Sequence, residues 1–188
     1  MILGSHNSMS YLPPKHWWMW PFNFMARCQS KSLKEQYDLG ARVFDIRIAY
    51  DKHIKPHFRH GMMAYKGEIE PVMIFLNEKK DCVVRIILEE YYQDFTDVQE
   101  TAFIMECRRW EKKYPDIQFV CGVRKRDWTP LTTFIDIEDK IQHKYSSMQG
   151  GKLNDLWPWL YAKLHNRKHL AELANDDCIL FVDFVNIK

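Results

Sequence analysis

Two histidines, an arginine and several carboxylates are spaced along the chain in a way that suits displacement at phosphorus. His6 lies in Gly4-Ser5-His6-Asn7-Ser8, where the glycine lets the backbone turn sharply and the neighbouring side chains are short and polar. A neutral imidazole there can take a proton from a hydroxyl. His60 precedes Gly61 and, as an imidazolium, can return a proton to a leaving alkoxide, with His57 as its nearby rival. The apolar, strand-like run Ala41 to Ile48 carries Asp45 and Arg47. A guanidinium is costly to bury unless it is paired. Arg47 therefore reads as a cation steadied by Asp45 or Glu89 and offered to a phosphate, and a purely structural ion pair would use the same residues. Asp183 in Phe181-Val182-Asp183-Phe184-Val185 is an acid inside a hydrophobic strand. It needs a hydrogen-bond donor. Pairing with His6 would fix the imidazole tautomer, as an orienting acid does in a hydrolase triad, and capping a neighbouring loop is the alternative use.

Asn7, Asp45, Glu89 and Glu90 are oxygen donors that calcium or magnesium would accept. Arg47 would then set a positive charge beside the ion, so the expectation is chemistry without a metal or other cofactor. If a cation were bound, Asn7, Asp45 and Glu89 would be its ligands.

These residues have to be brought together by the fold. At 188 residues the chain is long enough for one well-buried core, and we read residues 1–188 as one domain. Helical periodicity predicts helices over Ser32 to Leu39, Glu68 to Lys79, Thr96 to Lys113 and Asp155 to Ala174, the last with Asp155 as N-cap and Pro158 in its first turn. Apolar runs predict strands at Ala41 to Ile48, Cys82 to Leu88, Ile117 to Gly122 and Cys178 to Val185. Weaker strand signals lie at Met1 to Gly4, Lys55 to Arg59 and Leu131 to Ile135. Strands alternating with helices indicate an α/β fold, and the number of strands predicts a compact, irregular TIM-like (β/α) barrel. In such a barrel the C-terminal strand ends would deliver His6, Asp45, Arg47, His60, Glu89 and Asp183 to one mouth.

Composition narrows the class. The 46% hydrophobic and 28% charged fractions are those of a globular protein, and no run approaches the roughly 20 apolar residues of a spanning helix. A net charge of +2 gives no broad electrostatic grip on nucleic acid, and none is expected as a partner. Five scattered cysteines without CxxC spacing read as buried thiols. The chain opens on a strand-like Met1-Ile2-Leu3 rather than a basic-plus-apolar leader, which predicts a cytoplasmic protein, or a secreted one if a leader has been removed. The stretch His16-Trp17-Trp18-Met19-Trp20-Pro21-Phe22 is the most unusual segment. It reads either as packing against a small barrel or as peripheral contact with a lipid surface. Arg124-Lys125-Arg126-Asp127-Trp128 is a second basic and aromatic cluster in which Arg124 could meet an anionic head group.

Taken together, these motifs resemble the X-domain of phosphatidylinositol-specific phospholipase C, especially the small bacterial type. The resemblance rests on Gly4 to Ser8, on the stretch Ser32 to Arg47 ending in Phe44-Asp45-Ile46-Arg47, on His60-Gly61, on Val83 to Glu90 and on Asp183 to Asn186. It implies a phosphoric diester hydrolase or lyase acting on phosphatidylinositol or another phosphodiester. In this reading His6 is the general base, Asp183 orients it, Arg47 stabilises charge at phosphorus, Asp45 supports Arg47, and His60 is the general acid. Attack by a hydroxyl within the substrate would give a cyclic phosphate. The resemblance further implies substrate contacts from Asn7, Glu89 and Arg124, and from Tyr145 as a ring stacking on the head group. Asn7 stands where the metal-free bacterial type has an aspartate, and Glu89 where that type is basic and the calcium type acidic. Two other outcomes remain compatible with the same residues: a divalent-metal-dependent phosphodiesterase acting on another head group, and an inactive phospholipid or sugar-phosphate binding module.

Overall fold

Strand β2 (Val43–Tyr50) is buried along its whole length, and the polar residues of interest are arranged around it. The structure is a computed structural model that describes residues 1–89, 96–124, 128–130, 141–142 and 156–187, with the backbone alone at 121–124, 128–130 and 141–142. Parallel strands flank β2 on both sides, β1 (Ile2–Ser5) and β5 (Val83–Glu89). Beyond them lie β6 (Gln118–Arg124), parallel to β5, and β9 (Ile179–Val182), parallel to β1.

Side chains alternate between the two faces of a strand. Phe44, Ile46 and Ile48 enter the main core with Met73 and Leu76 of helix α3 (Ile69–Lys79) and Phe103, Cys107 and Trp110 of helix α4 (Asp97–Lys113). Val43 faces the other way, against Ile179 and Phe181. Asp45 and Arg47 share that second face by periodicity, so an acid and an arginine two residues apart arrive in one place.

The start of β2 is set by the helix before it. Helix α2 (Leu33–Asp38) opens with a capping box in which Ser32 accepts from the Glu35 backbone N–H and Glu35 accepts from that of Ser32. It closes on Gly40 at φ 101, with Gly40 N–H donating to Tyr37 O and Ala41 N–H to Gln36 O. That left-handed stop needs glycine, and it turns the chain straight into the strand.

The compact (β/α) barrel expected from the sequence is not what the described strands form. They run as an open path, β7-β6-β5-β2-β1-β9-β8, in which β7 is Trp128–Pro130 and β8 is Ile141–Gln142; β3 (Pro56–His60) and β4 (Met63–Ala64) branch from β2. Two reversals break the barrel pattern. β3 folds back antiparallel on β2, and β7 folds back antiparallel on β6, whereas a barrel unit of that kind keeps every strand parallel and follows it with a helix. The observed architecture is therefore a mixed α/β sheet. The β2–β3 hairpin turns at Asp51, whose carboxylate accepts from the backbone N–H groups of His53 and Lys55.

The last helix, α5 (Pro158–Glu172), starts later than the sequence pattern indicates. Trp157 holds the N-cap position without a side-chain cap bond, and Pro158 opens the first turn. Asp155, Glu90 and the strand expected at Leu131 to Ile135 lie outside the described residues. No described helix is long and apolar enough to cross a membrane.

Candidate active site

β1 and β9 end at the same level, beside the first half of β2, and the charged groups gather there. His6 directly follows β1, where its backbone N–H donates to Val182 O at the end of β9. Asp183 is the next residue after that strand. The register pairs Ser5 with Phe44 and with Val182, so the residues one step further, His6, Asp45 and Asp183, lie together. His6, Asp45, Arg47, Glu89 and Asp183 are all buried.

The hydrogen bonds define their states. Arg47 Nη2 lies 2.7 Å from His6 Nε2. A guanidinium has no acceptor, so Nε2 accepts and the imidazole proton sits on Nδ1, which faces Asp183 Oδ1 at 2.6 Å. That tautomer keeps the Nε2 lone pair on the side of Arg47. Arg47 in turn donates from Nε and Nη2 to Asp45 Oδ2, at 3.1 and 3.0 Å, and from Nη1 to Glu89 Oε2 at 2.8 Å. The sequence left open which acid holds the guanidinium; both do. Burial alone would push the Asp45 carboxyl up, but Arg47 and Arg85 outweigh it and hold the group below the ordinary carboxylate range.

His60 reaches the site from a different direction. It ends β3, two residues beyond the Ile48–Phe58 pair of the antiparallel hairpin, so the reversal and not a parallel strand end carries it back toward Arg47. The His6 and His60 rings meet edge to face with centroids 5.7 Å apart. His60 Nδ1 lies 2.9 Å from Ala26 O and 3.7 Å from Cys28 Sγ. A carbonyl only accepts, so Nδ1 carries the proton. Burial, with Arg47 and His6 adding to it, pushes the His60 imidazole down to about 4. The rival His57 sits at mid-strand, paired with Ala49.

That depression has a consequence for stability. The unfolded chain takes up the His60 proton near pH 6.5, before the folded state does near 4. The contribution to stability is complete above 6.5 and is lost as pH falls toward 4, amounting to about 3 kcal/mol. Unfolding free energies measured across this range should fall more steeply for the wild type than for His60→Gln. Parallel curves for the two proteins would contradict the assignment.

Several participants carried weaker signals in the sequence or none. Arg85 lies opposite Asp45 in the β2–β5 register and makes an ion pair with Asp45 Oδ1 at 3.5 Å, its guanidinium 5.9 Å from the Phe181 ring centroid. Like Arg47 it is a cation in an apolar strand, and that signal could have flagged it. Gln29 is fully buried and ties the strand ends together: Nε2 donates to His6 O and Val182 O, and Oε1 accepts from Val185 N–H. No local pattern marks it.

Asn7 adopts φ 43, its backbone N–H donates to Asp45 Oδ2, and both atoms of its buried side-chain amide lack a protein partner. Glu89 Oε1 accepts from Gly61 N–H, which anchors the loop after His60. Among Asn7, Asp45 and Glu89, the two carboxylates already share Arg47. A hard cation there would have to displace the guanidinium, so this donor set does not fit calcium or magnesium as it stands. Of the remaining sequence candidates, the backbone at Arg124 pairs with Glu89 and Trp128. The Arg124 side chain and the whole of Tyr145 lie outside the described residues.

Of the Trp-rich segment, only Met19 is buried within Trp17–Phe22, which forms a 3-10 turn. Trp17 is 83% exposed, and Trp18, Trp20, Phe22 and Phe24 are about half exposed. Phe24, in the short helix α1 (Asn23–Ala26), touches Trp157 at the start of α5 with ring centroids 5.9 Å apart. Trp157, Trp159, Leu160 and Leu164 extend the exposed apolar surface along that helix. Within this segment Met19 packs fully, while Trp18, Trp20 and Phe22 are each about half covered.

Comparison with solved structures places this arrangement among known folds. Phosphatidylinositol-specific phospholipase C from Listeria monocytogenes superposes with a TM-score of 0.65 over 97% of this chain and 87% of that one, at 16% identity. A variant of the Staphylococcus aureus phosphatidylinositol-specific phospholipase C gives 0.62 over 97% and 84%, at 13% identity. At these identities the likeness is one of fold. No protein-family model and no curated protein sequence matches the chain.

Proposed function

We propose that the chain is a phosphodiesterase of the phosphatidylinositol-specific phospholipase C type, in which a hydroxyl of the substrate attacks its own phosphorus. The observation that carries this reading is His6 held between Asp183 on Nδ1 and Arg47 on Nε2. A base that is already oriented, with a fixed cation beside its lone pair, suits attack on an anionic centre.

In the reaction, the substrate phosphate takes the place of the His6 contact on Arg47. His6 Nε2 then accepts the proton of the attacking hydroxyl, and Asp183 stabilises the imidazolium that forms. The new O–P bond closes a cyclic phosphodiester while the P–O bond to the lipid alcohol breaks. His60 supplies the proton to the departing oxygen. Because burial holds His60 neutral in the free protein, the incoming phosphodiester anion provides the negative charge that lets it take up a second proton. Holding the nucleophile within the substrate supplies much of the rate, and Arg47 stabilises the charge that builds on phosphorus. Since the guanidinium provides that positive charge, no metal enters the scheme.

The aromatic apron fits a lipid surface. Tryptophan favours the water–lipid boundary, and Lys163 lies 5.1 Å from the Trp159 ring centroid, where its ammonium can meet anionic head groups. Replacing Trp17, Trp18 and Trp20 together by alanine should weaken binding to anionic vesicles by roughly 100-fold, on the apolar area withdrawn from the interface. Cleavage of a soluble aryl phosphodiester should persist. Unchanged vesicle affinity in a sedimentation assay would remove the apron from the reading.

The catalytic reading is tested by incubating phosphatidylinositol vesicles with the wild type and with His6→Ala. Water-soluble phosphorus should be released by the wild type only. No release by the wild type, or equal release by both, would overturn it.

A further inference from the structure

Cys28 stands beside the two histidines, and the phosphodiesterase scheme gives it no task. Its thiol is fully buried, and Sγ lies 3.7 Å from His60 Nδ1. A ring nitrogen of His6, Cys28 Sγ and a ring nitrogen of His60 all fall within 4.8 Å of one another. We propose that His6, Cys28 and His60 form a binding site for a thiophilic divalent cation, zinc in particular, and that the bound ion blocks the proposed active site.

The donor set and its spacing suit zinc. Two imidazoles and a thiolate are its usual ligands, with Zn–N near 2.0–2.1 Å and Zn–S near 2.3 Å. Tetrahedral angles then put nitrogen and sulfur about 3.6 Å apart, close to the 3.7 Å between Cys28 Sγ and His60 Nδ1. The surroundings suit a metal too. His6 Nδ1–H is held by Asp183, the carboxylate support that orients a metal-binding imidazole through the opposite nitrogen. His6 can therefore bind through Nε2 without losing its carboxylate. His60, whose Nδ1 is the nitrogen nearest Cys28 Sγ, would exchange its Ala26 contact for the metal there.

Charge also permits it. Among the described residues, Asp45, Glu89 and Asp183 surround the site with three carboxylates, against the guanidiniums of Arg47 and Arg85. Zinc entering with loss of the Cys28 thiol proton adds one net positive charge, which brings this set to neutrality. Arg47 would give up its contact with His6 Nε2 but keep its bonds to Asp45 and Glu89. The metal then occupies the lone pair that takes the substrate proton, so binding and turnover exclude one another.

The test is made on the full chain without substrate, so its failure leaves the phosphodiesterase reading standing, and a failure of that reading leaves this result unaffected. Cobalt(II) is titrated in and the thiolate-to-cobalt charge-transfer absorption followed, while zinc affinity is measured by competition with a chromophoric chelator. One equivalent of cobalt should produce the thiolate band in the wild type. Cys28→Ser should lose the band and bind zinc at least ~10-fold more weakly, a loss of about 1.4 kcal/mol or more. His60→Gln keeps the thiol and should also bind zinc more weakly, which keeps the test decisive if Cys28→Ser does not fold. Absence of the band in the wild type, its persistence in a folded Cys28→Ser, or wild-type zinc affinity in His60→Gln would each overturn the proposal.

Discussion

Asp183→Asn is expected to lower turnover by about 10⁴-fold, the size of effect seen when an orienting acid is replaced by its amide, while the protein stays folded. In the wild type, the Asp183 carboxylate accepts from His6 Nδ1–H at 2.6 Å, which leaves Nε2 as the acceptor facing Arg47. An asparagine that turns its NH₂ toward Nδ1 forces the imidazole proton onto Nε2. That proton would point at the Arg47 donor, so the ring would lose both its favourable contact and its lone pair. The backbone carbonyl of residue 183 still accepts from Asn166 Nδ2, so the end of β9 keeps its tether. Steady-state kinetics on a soluble phosphodiester, with a melting curve as control, checks this. Turnover within tenfold of wild type would mean that Asp183 does not orient the base.

Arg47→Met is expected to fail in two ways. Asp45 and Glu89 are buried, and both carboxylates accept hydrogen bonds from this guanidinium. Removing one partner of such a buried pair costs about 3–5 kcal/mol because the remaining charges have lost their match. For a chain of this size that lowers the melting temperature by roughly 10 °C. Turnover should also fall by about 10²- to 10³-fold through loss of charge stabilisation at phosphorus. Arg47→Lys separates the two effects. An ammonium is a point charge that cannot span Asp45, Glu89 and His6 together, so stability should largely recover while turnover should not. Full recovery of turnover in Arg47→Lys would show that charge alone suffices.

How much of this was legible in the sequence differs from element to element. β2 and β5 announced themselves as unbroken apolar runs, and the helical pattern was read from Ser32 and from Thr96, the residues that hold the N-cap positions in the structure. The polar residues inside apolar strands, Asp45, Arg47 and Asp183, stood out for the same reason that they matter: a buried charge demands a partner. What stayed hidden is set by pairing between distant segments. The direction of β3 depends on an Asx turn at Asp51, and the open order of the strands on how distant segments pair; neither leaves a periodic trace. Cys28 and Gln29 become informative only once the chain folds back past His6, His60 and Val182. The contact of His60 with Ala26 O was equally invisible, since a backbone carbonyl has no sequence signature.

The central claim is that His6 activates a hydroxyl of the substrate itself. It is tested most directly by phosphorus-31 NMR of phosphatidylinositol dispersed in mixed micelles and treated with the wild-type protein. The first water-soluble product should be a five-membered cyclic phosphodiester, appearing before any acyclic monoester. An acyclic phosphomonoester as the first product, or no soluble phosphorus at all, would contradict the account.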